Sequence, residues 1–222
     1  MKYAFAFAAM LASTGASAAV ISSSVGGVPV GANVYESFDA IGPGGTTASG
    51  ITVTFAGTDA GTASLPNVDG KYAAPYISGG NGALFGNAQA DGKDETQYLT
   101  TGIGSVTLDL GDYHQYFGIL WGSVDTYNSL AFYAGDTLLF TYTGSDVAEV
   151  ASGDQGVGGT YYVNINSDTA FNRVVASSTG YAFEFDNVAL AYKPITDVPE
   201  PGALALFGLG AIGLAAARRR KA

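Results

Sequence analysis

Between residues 19 and 196, each stretch apolar enough to be buried is also of strand length, and Gly or Asn interrupts it before a helix could form. Those stretches are 51–55, 105–110, 116–121, 129–133, 137–142, 160–165 and 181–192, and they alternate or run apolar between turn residues. None shows sustained apolar spacing of three and four residues. Composition agrees: 32 Gly, 14 Tyr and 12 Phe with only 13% charged residues favour β-structure joined by turns. The Gly content lacks the every-third period of collagen, and no internal repeat is detected. About 180 residues suit one domain rather than two. The expectation is an all-β fold: a single jelly-roll-like β-sandwich, with a signal helix before it and a transmembrane helix after it. The Ser/Thr/Gly-rich stretches 40–50 and 151–160 are expected to be loops.

Two local features set register. Ala134-Gly135-Asp136 lies between two strand-like runs and predicts a hairpin over 129–142, because Gly supplies positive φ and Asp closes turns through its side chain. In the last strand Phe183 and Phe185 occupy odd positions whereas Val188, Leu190 and Tyr192 occupy even ones. An unbroken pleat would put these sets on opposite faces, so a bulge at Asp186-Asn187 is expected to restore one inward face. The alternative reading of Asp186 is a ligand, with nearby carbonyls, for a structural Ca²⁺. No other cofactor is expected.

The two ends carry addresses. Residues 1–18 have one cation, Lys2, an apolar stretch over 3–12 and the small-residue ending Ala16-Ser17-Ala18, the pattern of a secretory signal peptide cleaved after Ala18. An apolar part of about 10 residues makes roughly 15 Å of helix, half of a hydrocarbon core of about 30 Å. At the other end, Val198-Pro199-Glu200-Pro201 precedes an uncharged run over 202–217 and the cluster Arg218, Arg219, Arg220, Lys221. The prolines hold the chain extended until the run begins. Sixteen residues cover about 24 Å, a marginal span that snorkelling arginines and a thinned bilayer can accommodate. The cationic cluster acts as a membrane stop that stays cytoplasmic, leaving the body on the outer side of the inner membrane. A buried Gly/Ala-rich helix is the alternative for this tail. The expected organisation is a signal peptide over 1–18, an extracellular domain over 19–196 and a sorting signal over 197–222.

Function classes are narrowed by what is missing. Zero Cys excludes disulfides, thiolate catalysis and Cys-ligated metals. Between residues 19 and 199 there are 4 cations and 18 acids, a net charge of −14 that repels nucleic acid and anionic lipid. Neutral glycans or calcium-assisted contacts are the compatible partners. His114, the only histidine, falls between two strand-like runs and is expected in a solvated loop, with no Gly-x-Ser-x-Gly elbow to pair with it. Glu184 and Asp186 share a strand face, but a glycosidase needs two carboxyls at a set separation across a cleft. The turn over 91–95 (Asp-Gly-Lys-Asp-Glu) lacks a calcium-loop pattern, and Gly92-Lys93 fails as a phosphate loop. Trp121 and Tyr127 are candidates for stacking on sugar rings, although Trp121 ends the apolar run over 117–121, where burial accounts for it.

The tail, from Val198-Pro199-Glu200-Pro201 through the short apolar run to the terminal arginines, resembles the PEP-CTERM sorting signal of Gram-negative bacteria. The amino-terminal pattern implies export through the Sec translocon and cleavage by signal peptidase, and the apolar run transient anchoring in the inner membrane; the resemblance implies removal of the tail by exosortase, a membrane-embedded cysteine protease or transpeptidase that recognises the Pro-Glu-Pro strip. Delivery to the cell surface or extracellular polysaccharide follows. The stretches 116–128 and 183–188 resemble a subfamily of exosortase-dependent surface proteins that brings no established activity. The expected role is therefore structural or adhesive and non-enzymatic. The alternative is a carbohydrate-binding sandwich, calcium-stabilised or not, and a glycosidase is the third reading.

Overall fold

The computed structural model describes residues 19–29 and 31–195. The expected signal peptide, the Pro-Glu-Pro strip, the apolar tail and the arginine cluster lie outside the described residues. Thirteen strands follow one another: β1 (Ala19–Ser24), β2 (Val34–Glu36), β3 (Gly45–Thr46), β4 (Thr52–Gly57), β5 (Gly61–Ala63), β6 (Tyr76–Ile77), β7 (Gly92–Lys93), β8 (Tyr98–Thr101), β9 (Gly104–Gly122), β10 (Asn128–Ala134), β11 (Thr137–Thr143), β12 (Tyr161–Ser178) and β13 (Phe183–Ala191). One helical turn, α1 (Gly144–Val147), follows β11. No described helix is long and apolar enough to cross a membrane.

Eleven strands form one antiparallel sheet, ordered β11-β10-β12-β9-β13-β8-β5, with β1, β2, β3 and β4 joined at its sides. The sheet doubles over because β9 and β12, its two longest strands, bend together. Residues 104–109 of β9 pair with 173–178 of β12 and with β4, while 116–121 pair with 161–166 and with β13. Between these blocks the register shifts twice. At the same place the inward set changes phase, from Val106, Leu108 and Leu110 to Phe117, Ile119 and Trp121, all in one core. Gly111, at φ 73°, supplies the left-handed step that makes this possible. Side chains from both halves, such as Phe132 and Val174 of one and Val163 and Phe185 of the other, meet in that core.

The bend corrects one expectation. His114 is in β9 rather than in a loop, 2% exposed, with its ring stacked on Tyr192 at 4.9 Å. Gly111-Asp112 has the composition of a turn, but the flanking runs belong to a single strand pinned from both sides. The hairpin is as expected: β10 and β11 pair from Ser129↔Thr143 to Ala134↔Thr137, leaving Gly135 and Asp136 as the turn. The bulge is also found. Asp186 pairs with Leu120 and Ala189 with Gly118, so β13 carries one extra residue there, and Asn187 adopts φ 53°. Phe183, Phe185, Val188 and Leu190 consequently all face the core.

The segment over 64–97, between β5 and β8, forms a strap containing β6, β7 and a 3-10 turn. It covers the outer face of the β9/β13 half, where its Ile77 and Phe85 pack on Tyr116, Leu120, Tyr162 and Ala189. Its polar attachments include Tyr76 N–H to Thr160 Oγ1 at 3.0 Å and Ala73 N–H to Glu184 Oε1 at 2.8 Å. Both faces of β13 are therefore buried.

Candidate functional site

A cleft of about 210 Å³ opens where the strap meets the end of β13 and the loops after β9 and α1. Its walls include Lys71, Ser123, Asp125, Tyr127, Tyr181 and Glu184. Glu184 sits deepest, 2% exposed, because the outer face of β13 lies under the strap. Its Oε1 accepts the Ala73 N–H and its Oε2 is hydrogen-bonded to the Ser123 hydroxyl. Burial raises its pKa to about 7, with the Asp125 charge adding to the shift against these hydrogen bonds.

The opposite wall is polar and aromatic. The Tyr127 hydroxyl lies 2.6 Å from both Asp125 Oδ2 and the Tyr181 carbonyl oxygen. Gly153, at φ 70°, permits this arrangement, since a Cβ there would lie 2.5 Å from Asp125 Oδ2. At the rim, the Tyr181 hydroxyl donates to Asp59 Oδ2 at 2.8 Å and Lys71 Nζ donates to Asp59 Oδ1 at 3.2 Å. The Tyr181 hydrogen bond and then Lys71 hold the Asp59 carboxyl below the usual range. The cleft is thus walled by tyrosines, carboxylates and one lysine.

Asp186 lies elsewhere, two residues along the same face of β13. It is 0% exposed, and neither carboxylate oxygen makes a well-formed hydrogen bond, the backbone N–H of Asn187 alone lying near enough to favour its charged form. Asp94, on the strap just after β7, lies within hydrogen-bonding reach of it. Asp94 Oδ1 accepts three hydrogen bonds, from Asn87 Nδ2 at 2.8 Å, Thr96 N–H at 2.9 Å and Thr96 Oγ1 at 2.7 Å, while Oδ2 has no partner. Burial raises the proton affinity of both carboxyls, and the Asp94 charge raises that of Asp186 further.

The residues singled out from sequence thus separate. Trp121 is 0% exposed and stacked on Phe183 at 4.4 Å, which corrects its candidacy for sugar stacking: the ring offers no free face. Tyr127 does line the cleft. Glu184 and Asp186 share the outer face but face different partners. Asp125, Tyr181 and Lys71 were missed because the elements that bring them together are far apart in the chain. Asp94 lies in the 91–95 stretch expected to be a plain turn. Its burial beside Asp186 could not be read from spacing.

A family model for the PEP-CTERM protein-sorting motif matches residues 197–221. No curated protein and no solved structure matches the chain. The described body is an all-β domain followed by a sorting motif, which defines a class: an exported protein. The chain carries the PEP-CTERM motif specifically, and the motif marks it as a target of exosortase.

Proposed function

We propose that this protein is a non-catalytic structural or adhesive component of the cell surface or extracellular matrix. It enters through the Sec translocon, loses residues 1–18 to signal peptidase and is held briefly in the inner membrane by residues 202–217. Exosortase then releases it beside Pro199-Glu200-Pro201 toward extracellular polysaccharide. The observation carrying this reading is the sorting motif at 197–221 behind an all-β body. The two facing halves of the folded sheet support a jelly-roll-like sandwich as its scaffold. Deleting exosortase tests the reading. Surface-exposed, protease-accessible protein should give way to a membrane-bound form of higher mass, and unchanged surface display refutes it.

The cleft favours a second reading, a carbohydrate-binding module. Tyr127 and Tyr181, beside Asp125 and Lys71, provide the aromatic and hydrogen-bonding groups that sugar rings engage. Hydrolysis is less well supported, although Glu184 and Asp125 both border the cleft. Both Glu184 oxygens are occupied by Ala73 and Ser123, so the group acts as a clamp on the strap rather than as a proton donor to a ligand. Glycan-array binding that is lost in Tyr181→Ala would support the module reading. Absence of any glycan signal from the native protein would remove it.

A further inference from the structure

We propose that Asp186 and Asp94 together bind a divalent cation, with Ca²⁺ the best fit, that ties the strap to β13. Asp186 and Asp94 lie within hydrogen-bonding reach of each other beneath the strap. Three of their oxygens, both from Asp186 and Oδ2 of Asp94, have no well-formed hydrogen bond, and the Asn187 backbone N–H is the one donor acting on Asp186. Both side chains are fully buried, and neither takes part in the two ion pairs among the described residues, Lys71–Asp59 and Arg173–Asp136. Burying an unpaired carboxylate is strongly unfavourable, and two close together add like-charge repulsion. One shared proton would join the two carboxyls through a single O–H···O bond and leave one net negative charge buried. A dication satisfies all three and cancels both charges.

The surroundings fit the same chemistry. Asp94 is held in place through Oδ1 by Asn87 and Thr96, which leaves Oδ2 as its open oxygen. Next to Asp186, the buried Asn187 amide has neither its oxygen nor its nitrogen bonded, so the bulge carries a further oxygen donor. Asp39 is exposed yet close enough to act electrostatically on both carboxyls, adding to the negative charge that a cation would meet there. Its own oxygens are engaged by Ser37 and Gln97. Among the described residues no three Asp, Glu, His or Cys side chains form a ligand cluster. Two carboxylates therefore hold the ion, with amide, carbonyl and water oxygens completing its shell. An all-oxygen set without His or Cys excludes a soft-metal preference. The larger, irregular shell of Ca²⁺ suits it better than the strict octahedron of Mg²⁺.

The site is separate from the cleft and does not depend on what the cleft binds. Its consequence is mechanical: one ligand belongs to the strap and the other to the sheet, so the ion joins layers that otherwise meet across repelling charges.

The test titrates the chelator-treated exported protein with CaCl₂ alone, following heat release and Tm. Saturable binding of one Ca²⁺ per chain is expected, with a rise in Tm of roughly 5–10 °C at about 100-fold excess over Kd, and a smaller response to MgCl₂. Asp186→Asn and Asp94→Asn should each abolish the response, while both melt cooperatively at or above the Tm of the calcium-free native protein, since each removes the repulsion. No saturable response in the native protein, or an undiminished one in both variants, overturns the proposal.

Discussion

Glu184 makes the sharpest quantitative prediction. Its pKa lies at about 7 in the folded protein against 4.5 for an ordinary glutamate, because burial penalises the charged form. The folded state therefore holds its proton more tightly than the unfolded state. The resulting stabilisation is complete below pH 4.5 and is lost as pH rises through 7. A shift of this size corresponds to roughly 3 kcal/mol, of which about 2–3 kcal/mol is lost between pH 5 and pH 8. Glu184→Gln mimics the protonated acid: its oxygen can accept the Ala73 N–H while its NH₂ donates to the Ser123 hydroxyl, preserving both attachments. Urea unfolding of native and variant protein at pH 5 and pH 8, at one fixed calcium concentration, reads the difference. The variant should be more stable by only about 1 kcal/mol at pH 5 and by about 3 kcal/mol at pH 8. Subtracting one protein from the other removes the shared contributions of Asp94, Asp186 and His114. An offset that is the same at both pH values would refute the reasoning, since Glu184 would then titrate alike in both states.

The other predictions are simpler. Trp121→Ala should cost about 3–5 kcal/mol in urea unfolding, because it empties a fully buried site against Phe183. The native tryptophan, the only one in the chain, should emit in the blue and resist quenching by iodide. Burial lowers the His114 pKa below 6.5, so its contribution is fully present above that pH and is lost as pH falls through the lowered value. The His114→Phe variant should lose stability less steeply between pH 6.5 and pH 4 than native protein does. Tyr181→Phe, which removes a hydrogen bond to Asp59 at the exposed rim, should leave stability nearly unchanged while weakening any glycan binding seen on the array.

The sequence is most readable where structure is local. The 129–142 hairpin needs only two adjacent runs and a Gly-Asp turn, and the β13 bulge follows from a phase change within eight residues. The length of β9 and β12 is hidden for the same reason. Gly111-Asp112 and the Asn166-to-Thr169 stretch have turn composition, and only pairing with each other and with β4, β13, β1 and β10 carries the strands through the bend. The strap escapes prediction because its apolar residues show no period, and Ile77 and Phe85, the pair that docks it, gain meaning only against Tyr116 and Tyr162. Site residues follow the same rule. Asp186 could be singled out from its own strand, but Asp94 is 92 positions away in the chain, and the burial that makes the pair chemically unusual comes from tertiary packing.

The intact mass of the protein recovered from cells with and without exosortase tests the account most directly. With exosortase, the chain should begin at Ala19 and end near Pro199-Glu200-Pro201, lacking the apolar run and the four terminal cations. Without it, the same amino terminus should be joined to a carboxyl terminus that still carries Arg218 to Lys221. A full-length tail in both samples would contradict the claim that this segment is a sorting signal.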